Sequence, residues 1–144
     1  MRKVLIADDE VKVGQLVKRL IQWDRLGLTC IGLVTDGQTA YEKILSESPD
    51  IVITDIRMPV LTGLEMIQKA SEQGVKCHFI VVSGYKYFDY AQKALKYGVE
   101  DYLLKPIDED ELNRQLQKIV AEEEQREDKQ QQVDQIEKKL EDSK

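Results

Sequence analysis

The 144-residue sequence predicts an α/β fold, a three-layer doubly wound sandwich with helices on both faces of a parallel sheet. Three observations predict it. Short apolar runs with strand-like composition recur five times, amphipathic stretches at helical spacing lie between them, and chain breakers mark the returns to strand. The resulting pattern is (βα)5, and right-handed crossovers then make the sheet parallel.

The strand candidates are Val4–Ala7, Thr29–Val34, Ile51–Thr54, Phe79–Val82 and Tyr102–Leu104. Several are apolar at consecutive positions, as expected when both sheet faces are covered. Between them Val13, Leu16, Val17, Leu20 and Ile21 form one buried helical stripe. Further stripes are Ala40, Ile44 and Leu45, then Leu64, Ile67 and Ala70, then Ala91, Ala94 and Leu95. Gly27, Pro49, Gly74 and Gly98 fall where each helix hands over to the next strand.

Composition excludes several function classes. No apolar run approaches the roughly 18 residues that span a bilayer, and Asp8 follows the first apolar run too early for a signal peptide, so we expect a cytoplasmic chain without membrane contact. Cys30 and Cys77 lie in apolar stretches and read as buried reduced thiols. With His78 as the single histidine, nitrogen and sulfur ligands are too few for a zinc cluster. A net charge of −6 disfavours a nonspecific nucleic-acid surface.

Ligands of open α/β sheets sit at the carboxyl ends of the strands. Here the first strand ends in Asp8-Asp9-Glu10, the third in Asp55, the fourth in Ser83-Gly84 and the fifth in Lys105-Pro106. A lone Asp after a strand reads as a helix cap. Two consecutive acids facing a third exceed that reading, because their mutual repulsion needs a cation and a lysine to offset it. Oxygen donors of this kind suit Mg²⁺, with Mn²⁺ as the alternative. Neither a dinucleotide-binding nor a P-loop glycine pattern follows any strand, and acids after strand one would repel a flavin phosphate.

Asp8-Asp9-Glu10, Asp55-Ile56-Arg57-Met58-Pro59 with Gly63, Ser83-Gly84 and Lys105-Pro106 stand in order on their strands. Together they closely resemble the receiver domain of two-component response regulators, over residues 3 to about 122. The resemblance implies strand order 2-1-3-4-5 and a phosphoacceptor role for Asp55, supplied by a sensor histidine kinase. It implies that Asp9, Asp55 and the backbone carbonyl of Arg57 hold Mg²⁺, with Asp8 acting mostly through water. Lys105 would pair with Asp55 and later with the phosphoryl group, before a cis peptide to Pro106. Pro59 and Gly63 read more plainly, as a turn and a helix start.

The resemblance further implies a switch. Ser83 would bond the phosphoryl group and Tyr102 would turn inward behind it, reshaping the face of the fourth predicted helix, fifth strand and fifth helix, including residues 85–97 and 112–120. Arg57 and Tyr85 would flank the path of a hydrolytic water, and the bulk of Tyr85 leads us to expect slow loss of the phosphoryl group. Leu20–Gly27, Ser83-Gly84-Tyr85 and Val99–Ile107 resemble the subgroup whose receiver precedes an AraC-type helix-turn-helix module.

Residues 121–144 differ from the body, with nine acidic and five basic side chains and few apolar ones. We therefore expect a domain over 1–122 and a charged helical or coiled-coil-like linker over 123–144. Leu112, Ile119, Val133 and Leu140 are separated by multiples of seven, interrupted by Arg126, so an extended fifth helix could present a broken seam for a second copy. Residues 121–144 carry no helix-turn-helix pattern, and we expect a receiver excised from a longer regulator, or else a free-standing one; DNA contact would need an output domain. Two other readings are a phosphorylation-independent dimerisation module and a Mg²⁺ phosphohydrolase. The first is disfavoured by the complete Asp9, Asp55 and Lys105 set. The second is disfavoured because Arg57 stands where a haloacid-dehalogenase-type phosphatase needs a second Asp.

Overall fold

Successive residues of a strand point to opposite faces, so an uninterrupted apolar run must feed two cores. The computed structural model, which describes residues 1–84 and 99–142, shows this division. In β1 (Arg2–Ala7), Leu5 and Ala7 enter one core while Val4 and Ile6 enter the other. The same split recurs in β3 (Ile51–Asp55), with Val52 against Ile51 and Ile53, and in β4 (His78–Ser83), with Phe79 and Val81 against Ile80 and Val82.

The remaining strands are β2 (Leu28–Val34) and β5 (Val99–Leu104), and the parallel sheet has order β2-β1-β3-β4-β5. One core lies beneath α3 (Gly37–Glu47) and α4 (Gly63–Glu72), filled by Ala40, Ile44, Met66, Ile67 and Ala70. The other lies beneath α1 (Val11–Leu20) and α5 (Glu109–Asp142), filled by Val17, Leu112, Leu116 and Ile119. The doubly wound sandwich with order 2-1-3-4-5 is therefore the fold, extended by a long final helix.

Among the described residues, Gly27, Pro49 and Gly74 each stand just past the end of a helix. Gly27 adopts φ +67° and closes an additional one-turn helix, α2 (Trp23–Leu26), that short length hides from periodicity. Trp23 is half-buried there and its Nε1 donates to the carbonyl of Lys18 at 2.8 Å. Thr62 and Glu65 form a reciprocal capping box on α4. Asn113 is buried on α5, where its side chain accepts from Gln22 N and donates to the carbonyls of Leu20 and Glu109. That polar clasp fixes α5 against the end of α1.

Several expectations are corrected. Leu16 and Leu45 are exposed rather than part of the buried stripes, because the contact with the sheet is narrower than the apolar arc of each helix. Cys30 and Cys77 are free thiols but half-buried. The seven-residue seam is not continuous: Leu112 and Ile119 belong to the body's core, whereas Val133, Ile136 and Leu140 are exposed. The predicted fourth helix around Ala91–Leu95, Gly98, and the Tyr85 position lie outside the described residues. Helix α5 runs unbroken through residues 122 and 123, and no helix among the described residues is long and apolar enough to cross a membrane.

Candidate functional site

The parallel sheet brings all the strand-end acids to one edge. Asp8 follows β1 directly, held by its own N–H donating to the carbonyl of Val34 and by Glu10 N donating to its Oδ1 at 2.9 Å. Asp55 ends β3, whose residues are buried throughout. Carboxylate oxygens of Asp8, Asp9 and Asp55 lie within 4.8 Å of one another, the one such acidic group among the described residues. Asp8 and Asp55 are only 4% and 6% exposed, while Asp9 faces solvent.

Lys105 reaches this cluster from the end of β5. Its Nζ lies 3.1 Å from Asp55 Oδ2 and 3.4 Å from Asp8 Oδ2. Its backbone N donates to the Ser83 carbonyl, and the following peptide to Pro106 is cis, as the resemblance implies. One ammonium thus faces three carboxylates, so the site carries excess negative charge.

The titration of the acids reflects burial first and neighbouring charge second. Burial pushes Asp8 up from 3.8 to about 6; the Glu10 N–H opposes this, and the neighbouring Asp55 charge reinforces it. Asp55 is also raised, by burial first, with the Lys105 hydrogen bond and charge pulling the other way. Burial would lower Lys105, but hydrogen bonding and charge from Asp55 and Asp8 together raise it. Hard oxygen donors gathered around unbalanced charge are a donor set that fits Mg²⁺ or Mn²⁺, and nitrogen or sulfur ligands are absent from it.

Ser83 is fully buried at the end of β4, its hydroxyl donating to the Gly84 carbonyl at 3.0 Å. Tyr102 is half-buried in β5 and its hydroxyl donates to the same carbonyl at 3.2 Å. The two side chains expected to move together therefore share an acceptor. Arg57 is exposed, and its backbone N donates to Asp55 Oδ1 at 3.4 Å, which sets the start of the loop beside the acid.

Two glycines hold the backbone close here, Gly63, which the sequence offered only as a helix start, and Gly37. A Cβ at Gly63 would sit 2.0 Å from the Asp55 carbonyl oxygen, and one at Gly37 would sit 1.8 Å from the Leu61 carbonyl oxygen. No side chain can replace hydrogen at either position without moving the backbone that carries Asp55 or its loop. Spacing from Asp55 singles out Gly63. Gly37 was not legible, since its contact is with a segment 24 residues away in sequence.

Comparison with known proteins agrees with this geometry. Residues 4–117 match the family model of the response regulator receiver domain. Transcriptional regulatory protein YesN of Bacillus subtilis is 46% identical over 122 residues, covering 85% of this chain and 33% of YesN. HptR of Staphylococcus aureus, a transcriptional regulatory protein, is 35% identical over 120 residues, covering 83% of this chain and 47% of HptR. The chain thus spans between a third and a half of these relatives. Among solved structures, the REC domain of AraT from Geobacillus stearothermophilus superposes with TM-score 0.83 at 36% identity, covering 88% of this chain and 98% of that one. Fold, motif order and family model converge, and the chain belongs to the response regulator receiver domain family.

Proposed function

We propose that residues 1–122 accept a phosphoryl group on Asp55 from a sensor histidine kinase, and that residues 123–144 form a linker that carries the resulting change to an output. The observation that carries this reading is the charge constellation: Asp8, Asp9 and Asp55 gathered within 4.8 Å, with Lys105 3.1 Å from Asp55. Phosphoryl transfer depends on positioning and on neutralising charge on the equatorial oxygens more than on a strong nucleophile.

Asp9, Asp55 and the Arg57 backbone carbonyl would hold Mg²⁺, with Asp8 acting through water and Mn²⁺ as a substitute. When bound, the cation supplies charge neutralisation for the transferring phosphoryl group. An Asp55 carboxylate oxygen then bonds to phosphorus as the P–N bond of the kinase phosphohistidine breaks, and the departing imidazole nitrogen takes a proton. Lys105 moves from its carboxylate partner to the new phosphoryl oxygens. The chain in this reading is a regulator that assists its own phosphorylation and dephosphorylation, not an enzyme acting on other substrates.

Ser83 and Tyr102 read as the switch, because both hydroxyls are held by one carbonyl that a movement of Ser83 would disturb. A preference of a few kcal/mol for one packing is enough to reverse which dominates. The readout is the face that includes β5 and α5, which is also a candidate homodimer surface alongside the exposed end of α5. The family and its regulator relatives support a cytoplasmic location and DNA binding through an output domain, of AraC type by the subgroup resemblance, outside residues 1–144.

Intact-mass analysis with acetyl phosphate, with and without Mg²⁺, tests the reading. A Mg²⁺-dependent gain of one phosphoryl group that disappears in Asp55→Asn is expected. No gain in the parent chain, despite Mg²⁺ binding, would leave a phosphorylation-independent dimerisation module. Steady turnover of a phosphate ester would instead favour a Mg²⁺ phosphohydrolase.

A further inference from the structure

The loop from Ile56 to Thr62 leaves the acidic cluster directly after Asp55, where Arg57 N donates to Asp55 Oδ1 at 3.4 Å, and its backbone is pinned along its length. At the far end Gly63 N donates to the Ile56 carbonyl at 2.7 Å, in the close approach to Asp55 already described. In the middle, Leu61 N donates to the Pro59 carbonyl at 2.8 Å, closing a three-residue turn around Val60. Val60 has φ +70° and is 82% exposed, so neither burial of its side chain nor a hydrogen bond of that side chain holds it there. A β-branched residue rarely adopts this conformation, and a turn of this kind is strained. Something outside the turn must impose it.

The first turn of α3 is what touches it. Gly37 N donates to the same Pro59 carbonyl at 3.4 Å, and the Gly37 α-carbon abuts the backbone of Leu61 so closely that a Cβ would meet its oxygen at 1.8 Å and its carbonyl carbon at 2.6 Å. Asp36 anchors that turn by accepting from Thr39 N at 2.7 Å and Thr39 Oγ1 at 2.8 Å. Ile56, Met58 and Leu61 are buried in the core beside Ala40, so the loop cannot retreat inward.

The geometry points to Gly37 as a positioning residue: the first turn of α3 clamps the Val60 turn and thereby fixes the loop whose Arg57 carbonyl would hold the cation. This rests on the proposed role of that carbonyl in holding Mg²⁺. A methyl group at residue 37 must displace Leu61, and with Val60 unable to yield, the displacement passes along the loop to Arg57. A glycine at 60 would let the turn absorb it.

The test is calorimetric Mg²⁺ titration of the 144-residue chain, Gly37→Ala, and Gly37→Ala with Val60→Gly. Affinity should fall about tenfold in the single variant, as for removal of a group that supports a metal ligand, and return to within about threefold in the double variant. Affinity unchanged in folded Gly37→Ala, or a loss that Val60→Gly does not recover, overturns the clamp. Should Gly37→Ala not fold, amide resonances of the unaltered chain decide. Gly37 N–H should shift with the same Mg²⁺ midpoint as Asp9 and Asp55 while Gly27 and Gly74 stay put; an unmoved Gly37 sinks the proposal. Failure of the underlying reading looks different, because Asp9 and Asp55 themselves would then not respond to Mg²⁺.

Discussion

The two edges of the sheet handle charge in opposite ways. At the carboxyl edge Asp8 and Asp55 share one lysine with Asp9 clustered beside them, and both buried acids titrate above their ordinary range. At the amino edge each acid has its own partner. Asp50 accepts from Lys3 N at 2.7 Å, Glu123 lies 2.5 Å from His78 and 2.6 Å from Arg126, and Glu127 pairs with Arg2 at 2.8 Å. Burial works to raise Glu123, yet the His78 hydrogen bond and the Arg126 charge bring it below its usual value. Acids with partners of their own hold α5 to the body, whereas the clustered acids at the carboxyl edge outnumber their one lysine.

That contrast can be broken in four places, the largest effect first. Asp8 titrates near 6 when folded against 3.8 unfolded, so the folded state holds its proton more tightly. Its penalty is full above pH 6 and is relieved as pH falls from 6 towards 4, by about 2 to 3 kcal/mol. Glu123 has the opposite sign: its stabilisation is present above its ordinary 4.5 and is lost as pH falls below that. Urea denaturation across pH should therefore show a maximum between about pH 4 and 6. Saturating Mg²⁺ should flatten the upper limb alone, and an identical limb with and without Mg²⁺ would argue against a cation among these acids.

Substitution separates the edges further. Glu123→Gln should lower stability by about 1 to 2 kcal/mol, because His78 and Arg126 lose a charged acceptor. Asp8→Asn, at the other edge, should raise stability by about 1 to 2 kcal/mol at pH 7.5 without divalent cations, and reduce Mg²⁺ affinity. Equal signs for the two variants in parallel urea titrations would erase the distinction. The smallest change expected is from Val60→Gly, a gain of about 1 kcal/mol from relieved backbone strain, read as a shift in thermal midpoint.

Much of the site was legible because its parts are sequence-local. Asp8-Asp9, Asp55, Ser83 and Lys105 each follow a recognisable apolar run, and a parallel sheet must bring those run ends to one edge. The α2 turn was missed because four residues cannot display a 3.6-residue period. Leu16 and Leu45 were assigned inward because periodicity gives the direction of a stripe and not the width of the surface that meets it. Leu112 and Ile119 read as part of a seam with Val133 and Leu140, since a heptad spacing is blind to where the body ends along one continuous helix.

By itself the sequence determined the fold class, the strand order through its family, and which acids and which lysine gather at one edge. These depend on hydrophobic period and element order, which the chain carries locally. Tertiary structure alone decided that Asp8 and Asp55 are buried while Asp9 is open, that Ser83 and Tyr102 share the Gly84 carbonyl, and that Gly37 bears on Leu61. Those facts arise from contacts between distant segments at ångström separations, where a single methyl group fits or does not, and no spacing along one chain encodes such distances.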